Sequence, residues 1–211
     1  MSVLILGTHN AKKGHELVEL LAPHGIEVRT LAEVDDAIHV VEDGETFAAN
    51  AGLKAIQQAK HLGSWVLAED SGLVVDALGG APGVYSARFA GENATDEANN
   101  DLLLERLGDI PAEKRTAHYF CHMTLSDPGG EIRAEASGKC YGRITRERQG
   151  IGGFGYDPLF EVVEYHHTFG ELGSAVKAAL SHRARAMRGM LPHIVQLFGT
   201  EPAATAEQAG A

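Results

Sequence analysis

Val3 to Gly7 is a short apolar run that passes directly into Thr8-His9-Asn10-Ala11-Lys12-Lys13. This junction constrains the fold more than any other segment. An apolar run ending in glycine predicts a buried parallel strand, and Asn10 to Leu21 repeats apolar residues at helical spacing (Leu17, Leu20, Leu21). A strand feeding a helix directs free backbone N–H groups and the positive end of the helix dipole at one spot. An anion is the natural occupant, and Thr8, Asn10, Lys12 and Lys13 add donors and charge. An ordinary N-cap at Thr8 or Asn10 with exposed lysines accounts for the same residues. The G-x-x-x-x-G-K-[ST] phosphate loop is absent.

The 211 residues are 44% apolar, enough to bury a core as one large domain or two closely packed lobes. No stretch reaches the roughly 18 to 20 consecutive apolar residues of a membrane helix, and the N-terminus does not read as a secretory leader, so a soluble cytoplasmic protein is expected. Cys121 and Cys140 lie far apart without C-x-x-C spacing, which predicts buried free thiols. With 18 basic against 29 acidic residues the net charge is −11, which disfavours a nucleic-acid polymer as partner. A small phosphorylated ligand stays compatible if a few cations gather locally and a divalent metal neutralises carboxylate and phosphate together.

Along the chain, a second strand is expected at Glu27 to Leu31, an acidic loop at Asp35 to Glu45, and a helix from Thr46 to the stop signal at Gly63. The strand Trp65 to Ala68 is predicted to end in a polar loop, Glu69-Asp70-Ser71-Gly72, before a further β-rich run, Leu73 to Val75. Gly79 to Gly83 reads as a turn, and Thr95 to Leu107 as a helix. Arg115 to Leu125 and Glu131 to Ile144 alternate as long strands joined by the hairpin turn Asp127-Pro128-Gly129-Gly130. The glycine-rich loop Gly150 to Pro158 precedes a short strand at Leu159 to Val163, and one helix is expected from Ala175 to Phe198. Residues 1–199 would form the folded part, as one large domain or two closely packed lobes, and the low-complexity segment 200–211 a disordered tail. Strands alternating with helices, followed by a long hairpin, indicate an α/β protein with a mixed sheet and ligands at strand ends.

Four islands carry candidate chemistry. Glu69 and Asp70 are hard oxygen donors of the kind Mg2+ takes together with substrate phosphate oxygens, although a solvated turn explains them too. Glu42 and Asp43, ahead of the helix beginning near Thr46, form a second acidic site or simply complement its dipole. Phe154-Gly155-Tyr156-Asp157 offers aromatic faces beside glycines that let a ligand approach, or packs structurally. Lys177 and Ser181-His182-Arg183 place cations and donors on one stretch of helix, which would otherwise be a solvated polar face. Taken with the anion-ready helix start at Thr8 to Lys13, the Glu69-Asp70 pair, the aromatic glycine-rich loop and the Lys177 to Arg183 stretch read as the parts of a nucleoside triphosphate site, with water attacking phosphorus as the economical reaction.

The chain resembles the inosine triphosphate pyrophosphatase family. The matching segments are T-H-N-A-K-K (8 to 13), E-D-G-E-T-F-A-A-N-A-G-L-K-A (42 to 55), E-D-S-G-L-V-V-D-A-L-G-G-A-P-G-V-Y-S-A-R (69 to 88), G-G-F-G-Y-D-P (152 to 158) and K-A-A-L-S-H-R (177 to 183). The resemblance implies a homodimer with a two-lobed α/β fold: a long twisted mixed β-sheet flanked by helices, with the active site in the cleft between lobes. It implies hydrolysis of ITP, dITP and XTP to the monophosphate and pyrophosphate. By position it implies that Thr8, His9, Asn10, Ala11, Lys12 and Lys13 grip the triphosphate. It further implies that Asp70 activates water, that Glu42 and Asp70 contact Mg2+, and that Ser71 touches substrate. Phe154, Gly155, Tyr156, Asp157, Lys177, His182 and Arg183 would hold the nucleotide. Two positions depart from the family pattern. Ala49 stands where a glutamate is more frequent, and Glu69 where an aspartate is frequent.

Overall fold

The structure, a computed structural model, describes residues 3–198. The expected tail at 200–211 lies outside the described residues. Seven strands form one mixed sheet: β1 (Leu4–Leu6), β2 (Val28–Thr30), β3 (Trp65–Val75), β4 (Thr116–Ser126), β5 (Ile132–Ile144), β6 (Phe160–Val162) and β7 (His167–Thr168). Their spatial order is β2-β1-β3-β4-β5-β6-β7. The first three run parallel and the rest antiparallel, with β4 and β5 the expected long hairpin. Five α-helices flank the sheet: α1 (Ala11–Leu21), α2 (Phe47–Leu62), α3 (Asp96–Leu107), α4 (Ser174–Leu180) and α5 (His182–Phe198). Among the described residues no helix is long and apolar enough to cross a membrane.

The expected polar loop at Glu69 to Gly72 is instead the middle of β3. Turn-prone composition is overridden because β4 continues to supply the antiparallel ladder, pairing Glu69 with Met123, Asp70 with His122 and Ser71 with Cys121. On the other edge β1 accompanies β3 only as far as Leu67, after which Gly7 N–H closes on the Leu67 carbonyl and the chain turns away. The next backbone pairing on that edge is the bridge from Val74 to Pro82. A gap therefore opens beside residues 69 to 72.

Strand alternation sorts the core. Val66 and Ala68 pack against Ala55 and Ala59 of α2. Leu67 and the facing Cys121, Met123 and Leu125 pack against Leu17 and Leu21 of α1 and Met187, Met190 and Ile194 of α5. Farther along the same face, Leu73 and Val75 join a second cluster with Leu103, Tyr119, Phe160 and Phe169. Two apolar bodies thus meet at β3, and the polar residues 69 to 71 lie at the waist between them.

The single helix expected from Ala175 to Phe198 is two. Ser181 is extended (φ −62°, ψ 158°), and its hydroxyl accepts from Ala184 N–H at 3.2 Å, capping α5. A serine hydroxyl that can satisfy a first-turn donor competes with helix continuation. The break redirects His182 and Arg183 into the molecule, where both are buried. Both cysteines are buried and free, as expected.

Candidate active site

The strand-to-helix junction is capped by Asn10, whose Oδ1 accepts from the backbone N–H of Lys12 at 3.0 Å and Lys13 at 3.1 Å. The ordinary N-cap and the cationic site are therefore both present at one place. Thr8 Oγ1 accepts from Asn10 N–H at 3.2 Å. The two lysines then diverge. Lys13 turns inward to Glu69 at 3.1 Å, whereas Lys12 reaches Asp96 at the start of α3 at 3.2 Å and lies 5.6 Å from the centre of the Phe154 ring. His9 turns away, its Nε2 3.1 Å from the Ile38 carbonyl oxygen and its ring stacked near His39. Ala11 is exposed at the head of α1.

Because side chains alternate along β3, the adjacent acids do not share a face. Glu69 and Ser71 face α1 and α5. Arg183 reaches Glu69 at 3.3 Å and Ser71 Oγ at 3.0 Å, and also pairs with Glu16 of α1. Glu69 is 1% exposed, and burial alone would raise its carboxyl. The charges of Arg183, Lys13 and Lys54 overcome this and hold it well below the usual carboxylate range. Glu69 is thus the buried counter-ion of the cationic wall.

Asp70 faces α2. Asn50 donates to its Oδ2 at 3.1 Å, Lys54 lies 3.7 Å from its Oδ1, and Ser71 N–H donates to Oδ1 at 3.0 Å. Lys54 also pairs with Glu42 at 2.5 Å. Burial pushes the Asp70 carboxyl up from its ordinary value, with Lys54 and Lys13 pulling against it and Glu69 adding to the rise. The structure therefore brings Glu42 and Asp70 to one cation, the Lys54 ammonium. Two carboxylates converging on a single positive centre are a donor set that fits a hard divalent ion, given further oxygens from substrate and water.

A cleft on the α1 and α5 face is lined by Asn10, Lys13, Ser71, Phe154, Tyr156, Lys177, His182 and Arg183, a space of about 100 Å³ that opens to solvent. Asp157 is buried in its wall, accepting from Lys177 at 2.6 Å, Phe154 N–H at 2.8 Å and Tyr119 OH at 3.3 Å. Burial raises its carboxyl, and Lys177 opposes the rise. Asp157 therefore anchors Lys177, whose ammonium lies 4.2 Å from the centre of the Phe154 ring. Gly153 and Gly155 take positive φ (73° and 61°), which turns the loop tightly enough to aim Phe154 at the cleft. Tyr156 is mostly core: it is 4% exposed and its hydroxyl donates to the Ser86 carbonyl at 2.8 Å. Of the two aromatics, Phe154 is the more accessible.

His182 stacks on Tyr119 at 4.7 Å between ring centres, 11° from parallel. Burial, then the Arg183 charge, hold the imidazole well below its ordinary pKa, so it is neutral. Its Nδ1 has no hydrogen-bond partner among the described residues.

Sequence reasoning missed Glu16, Asn50, Lys54, Asp96 and Tyr119. Asn50 and Lys54 lie one helical turn apart, so both reach Asp70 from the same face of α2. That spacing was visible; their direction toward β3 was not. Asp96, which also accepts from Gly155 N–H at 2.9 Å, ties α1, α3 and the glycine-rich loop together across the cleft mouth.

The model of the Ham1 family matches residues 4–193. The chain is 59% identical over 194 residues to a dITP/XTP pyrophosphatase of Rhodopirellula baltica, covering 92% of this chain and 93% of that protein. It is 49% identical to a dITP/XTP pyrophosphatase of Desulforamulus reducens, covering 92% and 96%. Among solved structures, a HAM1 protein from Coxiella burnetii superposes with a TM-score of 0.84 at 36% identity, covering 93% of this chain and all of that one. The Staphylococcus aureus Ham1 protein gives 0.81 at 36% identity, covering 92% and 98%. With the motifs in order along the same curled seven-stranded sheet, the chain belongs to the Ham1 family.

Proposed function

We propose that the protein hydrolyses deaminated purine nucleoside triphosphates (dITP, ITP and XTP) to the monophosphate and pyrophosphate. The observation that carries this reading is the 59% identity, across nearly the whole of both chains, to a dITP/XTP pyrophosphatase. The site's chemistry supports it. Lys13 and Lys177 line the cleft and supply cations, and Asp70, on the α2 side of β3, supplies a carboxylate raised by burial.

In this reading Asp70 takes a proton from water, whose oxygen forms a bond to the α-phosphorus. The bond from that phosphorus to the bridging oxygen breaks, and the electron pair leaves with pyrophosphate. A carboxyl raised by burial is a stronger base than an exposed one. Glu42 and Asp70 would hold Mg2+, which when bound neutralises phosphate charge. Lys54, now between them, would be released toward the phosphates. Lys13 and Ser71 lie where the triphosphate enters, and Phe154 offers a face to the base. His182, which lines the cleft, is the imidazole suited to donate to a 6-oxo group. The 6-amino group of adenine cannot accept there.

Pyrophosphate release from dITP, XTP and ATP, with Mg2+ and with EDTA, tests the reading. Release from dITP and XTP well above that from ATP, lost with EDTA, is expected; equal kcat/KM for ATP and dITP overturns the selectivity. The same reading makes the protein a cytoplasmic homodimer, and light scattering on the eluting protein tests the dimer.

A further inference from the structure

The loop that carries Glu42 is fastened to the strand that carries Asp70 by one buried amide. Asn50, 1% exposed on the inner face of α2, donates through Nδ2 to Asp70 Oδ2 at 3.1 Å and accepts through Oδ1 from Gly44 N–H at 2.8 Å. The two partners assign the amide orientation between them. A flipped amide would set oxygen against the carboxylate and NH2 against a backbone N–H. Gly44 follows Glu42 by two residues, and its lack of a side chain is part of the fastening. A Cβ there would stand 2.7 Å from Asn50 Oδ1 and 2.8 Å from Ala49 Cβ.

The consequence falls on Asp70. With Oδ2 taken by Asn50, Oδ1 is the oxygen left facing Lys54 at 3.7 Å, and Lys54 is the cation shared with Glu42. One residue thus fixes both which carboxylate oxygen faces the cation and how far the Glu42 loop stands from it. We infer that Asn50 is the positioning residue of the acidic pair: it holds Glu42 and Asp70 at the separation at which they bind a divalent cation. Asn50 acts through these partners and contacts neither water nor phosphate in the reaction. The inference rests on reading Glu42 and Asp70 as a cation pair. It also gives a role to a helix position beside Ala49, where the family's more frequent glutamate is missing.

The test is direct cation binding without nucleotide. Wild-type protein, Asn50→Ala and Gly44→Ala, each checked for cooperative melting, are titrated with Mn2+ and followed by electron paramagnetic resonance. The Mg2+ concentration for half-maximal rate is measured in parallel. Both variants are expected to bind Mn2+ about tenfold more weakly or worse, the scale on which outer-shell partners tune metal sites. The half-saturating Mg2+ should rise to match, with the KM for dITP at saturating Mg2+ little changed. Gly44→Ala keeps the inference falsifiable if Asn50→Ala does not fold. Wild-type protein that binds no Mn2+ overturns the cation-pair reading itself. Wild-type binding matched within about twofold by the folded variants overturns the role of Asn50 alone.

Discussion

The Lys177 ammonium sits 2.6 Å from the Asp157 carboxylate, and both groups are buried where α4 meets the glycine-rich loop. Lys177 keeps a second partner, Glu16, at 2.9 Å, so removing Asp157 weakens the cluster without leaving the charge alone. Asp157→Asn is expected to cost about 2 kcal/mol of stability in urea unfolding, below the loss seen when a buried charge loses its only partner. Because Lys177 would no longer be held beside Phe154, the KM for dITP should rise about tenfold, equivalent to about 1.4 kcal/mol.

The stacked pair of His182 and Tyr119 predicts a dependence of stability on pH. Folding keeps the imidazole from protonating, whereas the unfolded chain takes up that proton near a pKa of about 6.5. Below that pH the unfolded state binds more protons. The contribution is therefore complete above about pH 6.5 and is lost as pH falls. Relative to His182→Phe, which keeps a ring on Tyr119 but cannot titrate, the wild type should lose about 1 kcal/mol between pH 7.5 and 5.5. Parallel denaturation curves for the two proteins at both pH values would disprove it.

Asp70→Asn should separate binding from turnover. The amide keeps the size of the side chain and its acceptor oxygen but removes the base. Turnover is expected to fall by about 10² to 10⁴, the range a positioned general base supplies, with nucleotide binding by calorimetry retained. Near-normal turnover would remove Asp70 from its role.

Gly72 marks where the strand passes the segment Gly83–Arg88. An added Cβ would collide with the Gly83 carbonyl oxygen and with Ser86 Oγ, which itself accepts from Leu73 N–H at 2.9 Å. Gly72→Ala is expected to destabilise the protein by about 2 kcal/mol, the scale of overpacking, measured as a lower midpoint at unchanged denaturant slope. A midpoint equal to wild type would show that the segment yields freely.

By itself the sequence determined most of the elements in their order, the long β4–β5 hairpin, the buried thiols and part of the cleft lining, from Asn10 and Lys13 through Ser71 and residues 154–157 to Lys177, His182 and Arg183. Each of these is set by local periodicity, capping residues or turn composition, which act over a few neighbours. It did not determine that Glu69 to Gly72 is strand, because the ladder that overrides their turn-like composition comes from β4, about 50 residues later. Nor did it separate the two acids. Only the pleat of β3 turns Glu69 toward Arg183 and Asp70 toward Asn50 and Lys54. The break at Ser181 had the same character, since a serine within a helical pattern caps or continues according to where the next helix must pack. Glu16 entered the site through Arg183, 167 residues away, a partnership no local pattern encodes. Local sequence thus settled which residue types were present and on which elements. The tertiary structure decided which of them share a cation, because electrostatic partners are chosen by distance in space and by burial.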